Sequence, residues 1–562
     1  MKILKNPRYQ FVFFLSLFFV VNVLQGSLTA LFEDEAYYWL WSQNLAFGYF
    51  DHPPMVALWV KLGDLFFNGE FGLRFMSTLS FSFMLWVIWL MIDLTSKWQH
   101  VALFYLLIVS MTMIQVFGFI ITPDTPLLLF TALFLLAYKR FLTEENLLNV
   151  IFLGSTMAGM LYSKYHGILV IGFVVLSHWK LLKNKKFWLA AIFGLLLFIP
   201  HLIWQYENGF PSFVYHLKER GKKPYSILNT LTHLVNVIAI VGLTFPVIYS
   251  ALFKQKAKNQ FDRALKYMIY GFIIFFFLIS FTSEPQAQWL VVILIPLILI
   301  TFPYFAENLK ARKWLIILGS TQLVILMVFR VFLAFPDISP VTLEPHMAKK
   351  WIPELRKNTE GKPIVFVNSY RNASIYSFYT GIKTHSYSVL KGRQSQYNLL
   401  DYESKIQGED VFSASTLIKD QPKLADKNHT FIYGKPISNY STFEKVRCLI
   451  DQDNMLIGPG KNEFQVRLIN TYGKNITFEE VRFVGVFQGY KNKIIAKVPL
   501  EINKISSLAA HQEIILNASF EAPELESYKG STFRVALEFY HLMEGYQGNK
   551  VPVKFGQINA NN

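Results

Sequence analysis

Apolar stretches of near-bilayer length recur through the first 336 residues, centred near 20, 84, 109, 132, 154, 173, 196, 241, 274, 296 and 325. A spanning helix needs roughly 20 mostly apolar residues, and no soluble core accommodates so many such runs. Backbone N–H and C=O groups in lipid must pair within their own segment, so each run is expected to be helical. The chain reads as a polytopic α-helical membrane protein of about 11 spans. The runs near 154 and 173 are the shortest. The first run, Phe11 to Leu24, follows Lys2, Lys5 and Arg8 in the manner of a signal peptide. Gly26-Ser27-Leu28-Thr29-Ala30 is a poor cleavage site and further apolar runs follow, so an uncleaved first span is expected.

The net charge is +16, which in a soluble protein would suggest a nucleic-acid partner. Here Lys and Arg cluster between apolar runs, where membrane topology explains them, and no nucleic acid is expected. Alternating from a cytoplasmic N-terminus puts Lys139, Arg140, Lys180 to Lys186, Lys254 to Lys266 and Lys310 to Lys313 on the inner side. The outer loops keep only Lys61, Arg74, Lys164, Lys218, Arg220, Lys222 and Lys223. That bias predicts an inner (plasma) membrane protein whose C-terminal part is extracytoplasmic. Cys448 is single and forms no internal disulfide.

After Pro336 the composition turns to that of soluble protein. Residues 337–440 are expected to form an α/β domain, with strands at Pro363 to Asn368 and Thr430 to Tyr433 and a helix at Ala373 to Tyr379. Residues 441–562 alternate in the manner of strands: Gln465 to Ile469, Arg482 to Phe487, Lys493 to Val498, Glu513 to Ala518 and Phe533 to Phe539. This pattern predicts a β-sandwich of roughly immunoglobulin type.

The unusual polar motifs of the membrane half, residues 1–336, all fall on the expected outer side. Charges at a bilayer edge are costly unless paired or functional, so their convergence predicts a site. Asp34 to Asn44 and Met55 to Phe67 read as two amphipathic helices lying at the outer interface, a roof over a lipid-accessible cavity. Sugar transfer from a lipid phosphate needs a carboxylate to deprotonate the acceptor, cations or a metal on the departing phosphate, and a groove for the prenyl chain. Asp34 and Glu35 are adjacent, about 100° apart on a helix, so one of them is expected to face the cavity. Asp34 is the candidate base, with Glu35 beside it as the second candidate catalytic carboxylate; the alternative role of Asp34 is to stabilise the helix N-terminus. Asp51 and His52, in an aromatic and Pro-rich turn that includes Tyr49, suit a metal or phosphate site or simply a turn, and His216 is placed to complete such a site. Lys164 either contacts phosphate or snorkels to the interface. Arg220 either clamps a phosphate bidentately or belongs to a solvated basic loop. Asp124 and Glu284 either orient these cations or the sugar, or cap helices. Trp39, Trp41, Trp204 and Trp289 belong to the interfacial belt, with one or two available to stack on a sugar.

Asp34-Glu35-Ala36-Tyr37-Tyr38-Trp39 followed by Tyr49-Phe50-Asp51-His52-Pro53-Pro54 resembles the first outer loop of family 39 and 83 glycosyltransferases. These are the dolichyl-phosphate-mannose-protein mannosyltransferase and lipid A aminoarabinose transferase relatives, with the GT-C fold. Thr122 to Pro126, Ser163 to Gly167, Asn208 to Phe213 and Tyr370 to Ser374 with Phe378-Tyr379 look like motifs of bacterial members. The resemblance covers about residues 1–435 and leaves out the β-rich C-terminal region. It implies a catalytic acid at Asp34, a divalent metal held by Asp51 and His216, and a donor-phosphate contact at Lys164. Where the aminoarabinose transferases carry Lys after the acid, this chain has His52.

The leading expectation is a glycosyltransferase that moves a monosaccharide, a hexose or pentose, from a polyprenyl-phosphate donor to an extracytoplasmic acceptor: lipid A, an envelope glycan or a protein. A lipid-linked sugar flippase is the main alternative, and it would place charges in the middle of several spans. A noncatalytic scaffold presenting the β-domain is the third reading.

Overall fold

The computed structural model describes residues 6–219, 224–503, 505–525 and 528–555. It divides into two compact units, Met1–His346 and Met347–Asn562.

In the first unit, six helices among the described residues are long and apolar enough to cross a membrane: Pro7–Leu28, Gly69–Met91, Asp124–Thr143, Lys185–Glu207, Ala287–Glu307 and Leu309–Ala334. The chain is a multi-pass membrane protein. In the apolar 18-residue stretch of Ala287–Glu307, 83% of the residues are buried, against 28% in the corresponding stretches of the first, fourth and sixth of these helices. The former is the centre of the bundle, and the latter turn apolar sides outward, as lipid permits. Gln260–Ile279, with Asp262, Arg263 and Lys266 near its start, supplies a further 20-residue helix. Leu147–Ser163 and Gly167–Ser177 are shorter apolar helices. Leu147–Ser163 packs on Lys185–Glu207 through small residues: a Cβ on Gly154 would lie 2.4 Å from the Ala190 carbonyl oxygen. Such contacts let membrane helices approach closely.

Every expected apolar run is helical, but two are broken. The run near 109 ends at Val109 and restarts as Thr112–Phe117. The run near 241 is two helices, Ile227–Ala239 and Gly242–Lys254, bent by 89°. Non-helical backbone at such depth has to be satisfied by protein. Gln115 Nε2 donates to the Val109 carbonyl at 2.7 Å. Buried Gln322 serves both breaks, accepting from Leu243 N at 3.0 Å and donating to Thr112 Oγ1 at 2.9 Å.

The segments expected at Asp34 to Asn44 and Met55 to Phe67 are helical over Glu33–Ser42 and Met55–Asp64.

In the second unit, Thr384–Tyr387, Ile364–Val367 and Val411–Ala414 pair in parallel, and Pro436–Ile437 closes one edge antiparallel. Helix Tyr370–Thr380 makes the crossover, as alternating β and α segments require. Two further sheets build a sandwich. One runs Arg447–Leu449, Lys461–Ile469, Glu513–Glu521, Glu501–Ile502; the other runs Ile494–Pro499, Val481–Gln488, Thr532–Phe539, Val551–Phe555, Met455–Ile457. Lettered in chain order, the first sheet is A-B-E-D and the second C′-C-F-G, the arrangement of an immunoglobulin-type sandwich. Met455–Ile457, pairing in parallel with the last strand, extends the second sheet. Side chains of the α/β sheet, such as Val365, Val367 and Val411, join Phe464, Phe487, Phe533 and Val535 of the sandwich in one continuous core.

Candidate active site

Helix Glu33–Ser42 starts with three acids, and the structure separates their roles. Glu35 is 1% exposed and Arg74 is fully buried. Arg74 Nε donates to Glu35 Oε1 at 2.8 Å, and its Nη2 pairs with Oε2. The same guanidinium donates to the carbonyls of Gly26, Thr29 and Ala30 at 2.9, 2.5 and 3.1 Å. Glu35 also accepts from the backbone N–H of Ile121 and Phe32 at 2.9 and 3.0 Å. Glu35 is thus a buried tie between four segments, with both oxygens used. This corrects its expected place beside Asp34 as a catalytic group. Asp34, one step round the helix, is half-buried in the same first turn.

The turn after this helix is held by Tyr49. Its ring stacks on Trp41 with centroids 4.7 Å apart and planes 7° apart. Its hydroxyl lies 3.1 Å from the carbonyls of Trp41 and Asn44 and accepts from Ala46 N at 3.1 Å. Burial raises this phenol above its ordinary pKa, so it stays a donor. Asp51 is buried and His52 is half-buried beyond the turn.

Four distant segments close on this turn. His201 lies between the Phe47 carbonyl, 2.6 Å from Nδ1, and the Tyr165 hydroxyl, 2.9 Å from Nε2. Gln205 Nε2 donates to the Tyr165 hydroxyl at 3.1 Å and to Ser212 Oγ at 2.8 Å, and Ser212 donates to the Tyr49 carbonyl at 2.9 Å. This chain of bonds ties the end of helix Lys185–Glu207 to two loops and the first turn. His201, Gln205 and Ser212 were not singled out from the sequence as site residues. A His and a Gln four apart near the C-terminal end of an apolar helix are the signal that could have found them, because buried polar groups in membrane helices need named partners.

His216 sits in the π-helical turn Tyr215–Glu219 and places Nε2 2.8 Å from the Asp51 carbonyl. Its ring centroid lies 6.0 Å from His52 and 6.1 Å from Tyr165. Beside Tyr165, Lys164 places Nζ 2.8 Å from each oxygen of Asp124, in a pair about 6% exposed. Asp124 opens helix Asp124–Thr143, so the pair joins the 122–126 and 163–167 motifs.

Tyr49, Asp51, His52, Lys164 and His216 therefore share one neighbourhood, with Asp124 attached through Lys164 and Asp34 on the helix that carries Trp41. Glu284 is exposed in the loop after Gln260–Ile279, a loop anchored by Asn236 Nδ2 on the Pro285 carbonyl at 2.9 Å. No described contact brings Glu284 to the others. Arg220 lies outside the described residues. The Asp51 carbonyl is met by a proton on His216 Nε2. No three His, Cys, Asp or Glu side chains among the described residues form a group suited to a metal.

A sequence profile of the family described as dolichyl-phosphate-mannose-protein mannosyltransferase matches residues 51–204. Two crystal structures of ArnT from Cupriavidus metallidurans share the fold. The apo form has a TM-score of 0.54 at 15% identity, and the form bound to undecaprenyl phosphate has 0.52 at 13%. Each match covers 75% of this chain and 97% of ArnT. The lipid A galacturonosyltransferase RgtD of Rhizobium johnstonii is 55% identical over 40 residues, 7% of this chain. That match spans only 8% of the length of this curated relative.

Proposed function

The chain has the GT-C glycosyltransferase fold, and from that premise we propose that it transfers a monosaccharide from a polyprenyl-phosphate donor to an acceptor hydroxyl on the outer face of the membrane. The observation that carries this reading is the convergence of the 33–54, 122–126, 163–167 and 208–216 segments on one polar neighbourhood. That ArnT binds undecaprenyl phosphate and RgtD is a lipid A galacturonosyltransferase supports a lipid-phosphate donor and a lipid A-type or other envelope acceptor. The basic inner segments support an extracytoplasmic site.

In this reading Asp34 takes the proton of the acceptor hydroxyl. The acceptor oxygen then bonds to the anomeric carbon as the bond from that carbon to the phosphate oxygen breaks. The anomeric configuration inverts and the polyprenyl phosphate leaves with the bonding pair. Lys164, held by Asp124, and His52 donate to the phosphate oxygens, whose charge grows in the transition state. A pre-formed ion pair fixes the ammonium before the donor arrives and leaves one of its three protons for the phosphate. Arg220 is assigned to the same phosphate from the sequence. No step is routed through a metal.

The test is transfer by purified protein in detergent, supplied with a panel of polyprenyl-phosphate sugars and extracted envelope lipids. Asp34→Asn is expected to lower the rate about 10²–10⁴-fold, with unchanged thermal melting. Full activity in that variant sinks Asp34 as the base, and no transfer from any donor sinks the function.

A further inference from the structure

The second unit, Met347–Asn562, contains a polar cavity built entirely from its own residues. It encloses about 70 Å³ and opens to solvent beside the strand Arg447–Leu449. Leu400 is the one aliphatic side chain lining it. Its wall includes Tyr397, Asn398, Glu403, Glu444, Lys445 and Gln547. Glu403 and Gln547 are 3% and 1% exposed, so their polar atoms are fixed by the surrounding core. Thr442 Oγ1 and the Tyr472 hydroxyl donate to Glu403 Oε2 at 3.1 and 3.2 Å, leaving Oε1 to face Lys445 Nζ at 3.0 Å. Glu444 is oriented by His385, and its Oε2 lies 3.4 Å from Asn398 Nδ2. Such a constellation costs free energy to bury and adds little to packing.

We propose that this cavity binds a neutral sugar residue of a glycan, accepting two neighbouring hydroxyls of one ring. Size is the first argument. The enclosed space equals the share of about two liquid waters, which two adjacent hydroxyls replace while the rest of the ring stays in the open mouth. Chemistry is the second. The carboxylate oxygens of Glu403 and Glu444 accept from hydroxyls and Lys445 donates, so a diol finds both kinds of partner, while the amides of Asn398 and Gln547 are already held by Ser388, Ser395, Leu537 and Phe443 and shape the wall. Tyr546, half-buried, supplies aromatic carbon for the C–H side of the ring. Charge is the third. Glu403 and Glu444 are met by Lys445 and Arg447 on the same wall, so an ionic ligand gains no net attraction. The inference stands apart from the transfer reaction, because it concerns residues that take no part in it.

The test is saturation-transfer NMR on the full chain in detergent, with methyl glycosides of glucose, galactose and mannose as probes and methyl galacturonide as the charged control. Ring-proton saturation is expected for at least one neutral hexoside. Gln394→Ala and Arg447→Ala alter the half-buried and exposed rim of the cavity without touching the core. Each is expected to weaken binding about fivefold, with unchanged melting. Asp34→Asn is expected to bind the hexoside as the unaltered protein does. The proposal is overturned by no hexoside signal, by preference for the uronide, by both rim variants binding normally, or by loss of the signal in Asp34→Asn.

Discussion

At the scale of single residues, adjacent acids with one chemistry are given different tasks by their surroundings. Periodicity limits Asp34 and Glu35 to different faces but does not say which faces inward. The partner that decides it, Arg74, lies 39 positions on and looks in the sequence like any outer-loop cation. The pair is buried, so neither member can lose the other to water. Glu35→Gln leaves the guanidinium without a counter-charge and is expected to cost about 3–5 kcal/mol, read as a fall in melting temperature in detergent. Glu35→Gln combined with Arg74→Met is expected to cost less than the sum of the two single changes, because the stranded charge is gone. Additive losses would remove the clamp as the explanation. The same blindness hid His201 and Gln205. Their bonds run to Phe47, Tyr165 and Ser212, none of them within a helical turn of His201, so no local spacing reveals them.

At the scale of elements, what the sequence shows depends on how local the determining force is. Seven strands of the second unit were legible to within four residues, because period-two alternation follows directly from burial on one face, whereas Thr384–Tyr387, Val411–Ala414 and Val551–Phe555 were not read from the sequence. Lys461–Ile469 and Thr532–Phe539 extend the expected strands by only one to four positions. Hydropathy registers that a run is apolar but not that it is continuous. The breaks after Val109 and at Val241 depend on Gln115 and Gln322, whose amides replace the lost helical bonds. The first outer turn depends on one contact that spacing also conceals. A Cβ on Gly48 would stand 2.2 Å from the Trp204 ring, so the turn can reach helix Lys185–Glu207 only at a glycine. Gly48→Ala is expected to destabilise by about 1–3 kcal/mol and to lower transfer, because it lifts the turn that carries Asp51 and His52. Adding Trp204→Leu removes the obstructing ring and is expected to recover the melting temperature. If the double variant melts below Gly48→Ala, the close approach is not what the glycine serves.

At the scale of the whole molecule, the change in composition after Pro336 marks where the membrane unit gives way to a soluble one, and the compact units divide at His346 and Met347. Less visible in the sequence is that the α/β segment and the sandwich share a single core, since Val365 and Phe533 are far apart in the chain. A shared core makes the second unit respond to a local charge change as one cooperative body. Its most sensitive group is the buried pair His385–Glu444, flanked by Glu403 and Lys445. Burial opposes the imidazolium, but the neighbouring Glu444 carboxylate outweighs it and raises His385 above its ordinary 6.5. Burial also raises Glu444 above its ordinary 4.5. Both groups therefore hold protons more tightly folded than unfolded, so stability falls as pH rises. The Glu444 part is complete below its ordinary value and the His385 part below 6.5, and each is lost as pH climbs through the raised folded value. Hydrogen exchange over residues 347–555 of the full chain is expected to show protection declining as pH rises above the ordinary carboxylate and imidazole values, after correction for intrinsic exchange. The double change His385→Gln with Glu444→Gln, which leaves a neutral hydrogen-bonding pair, is expected to flatten that decline. Parallel profiles for the two proteins would mean that the pair contributes nothing to the pH response, and the decline would then belong to other groups of the unit.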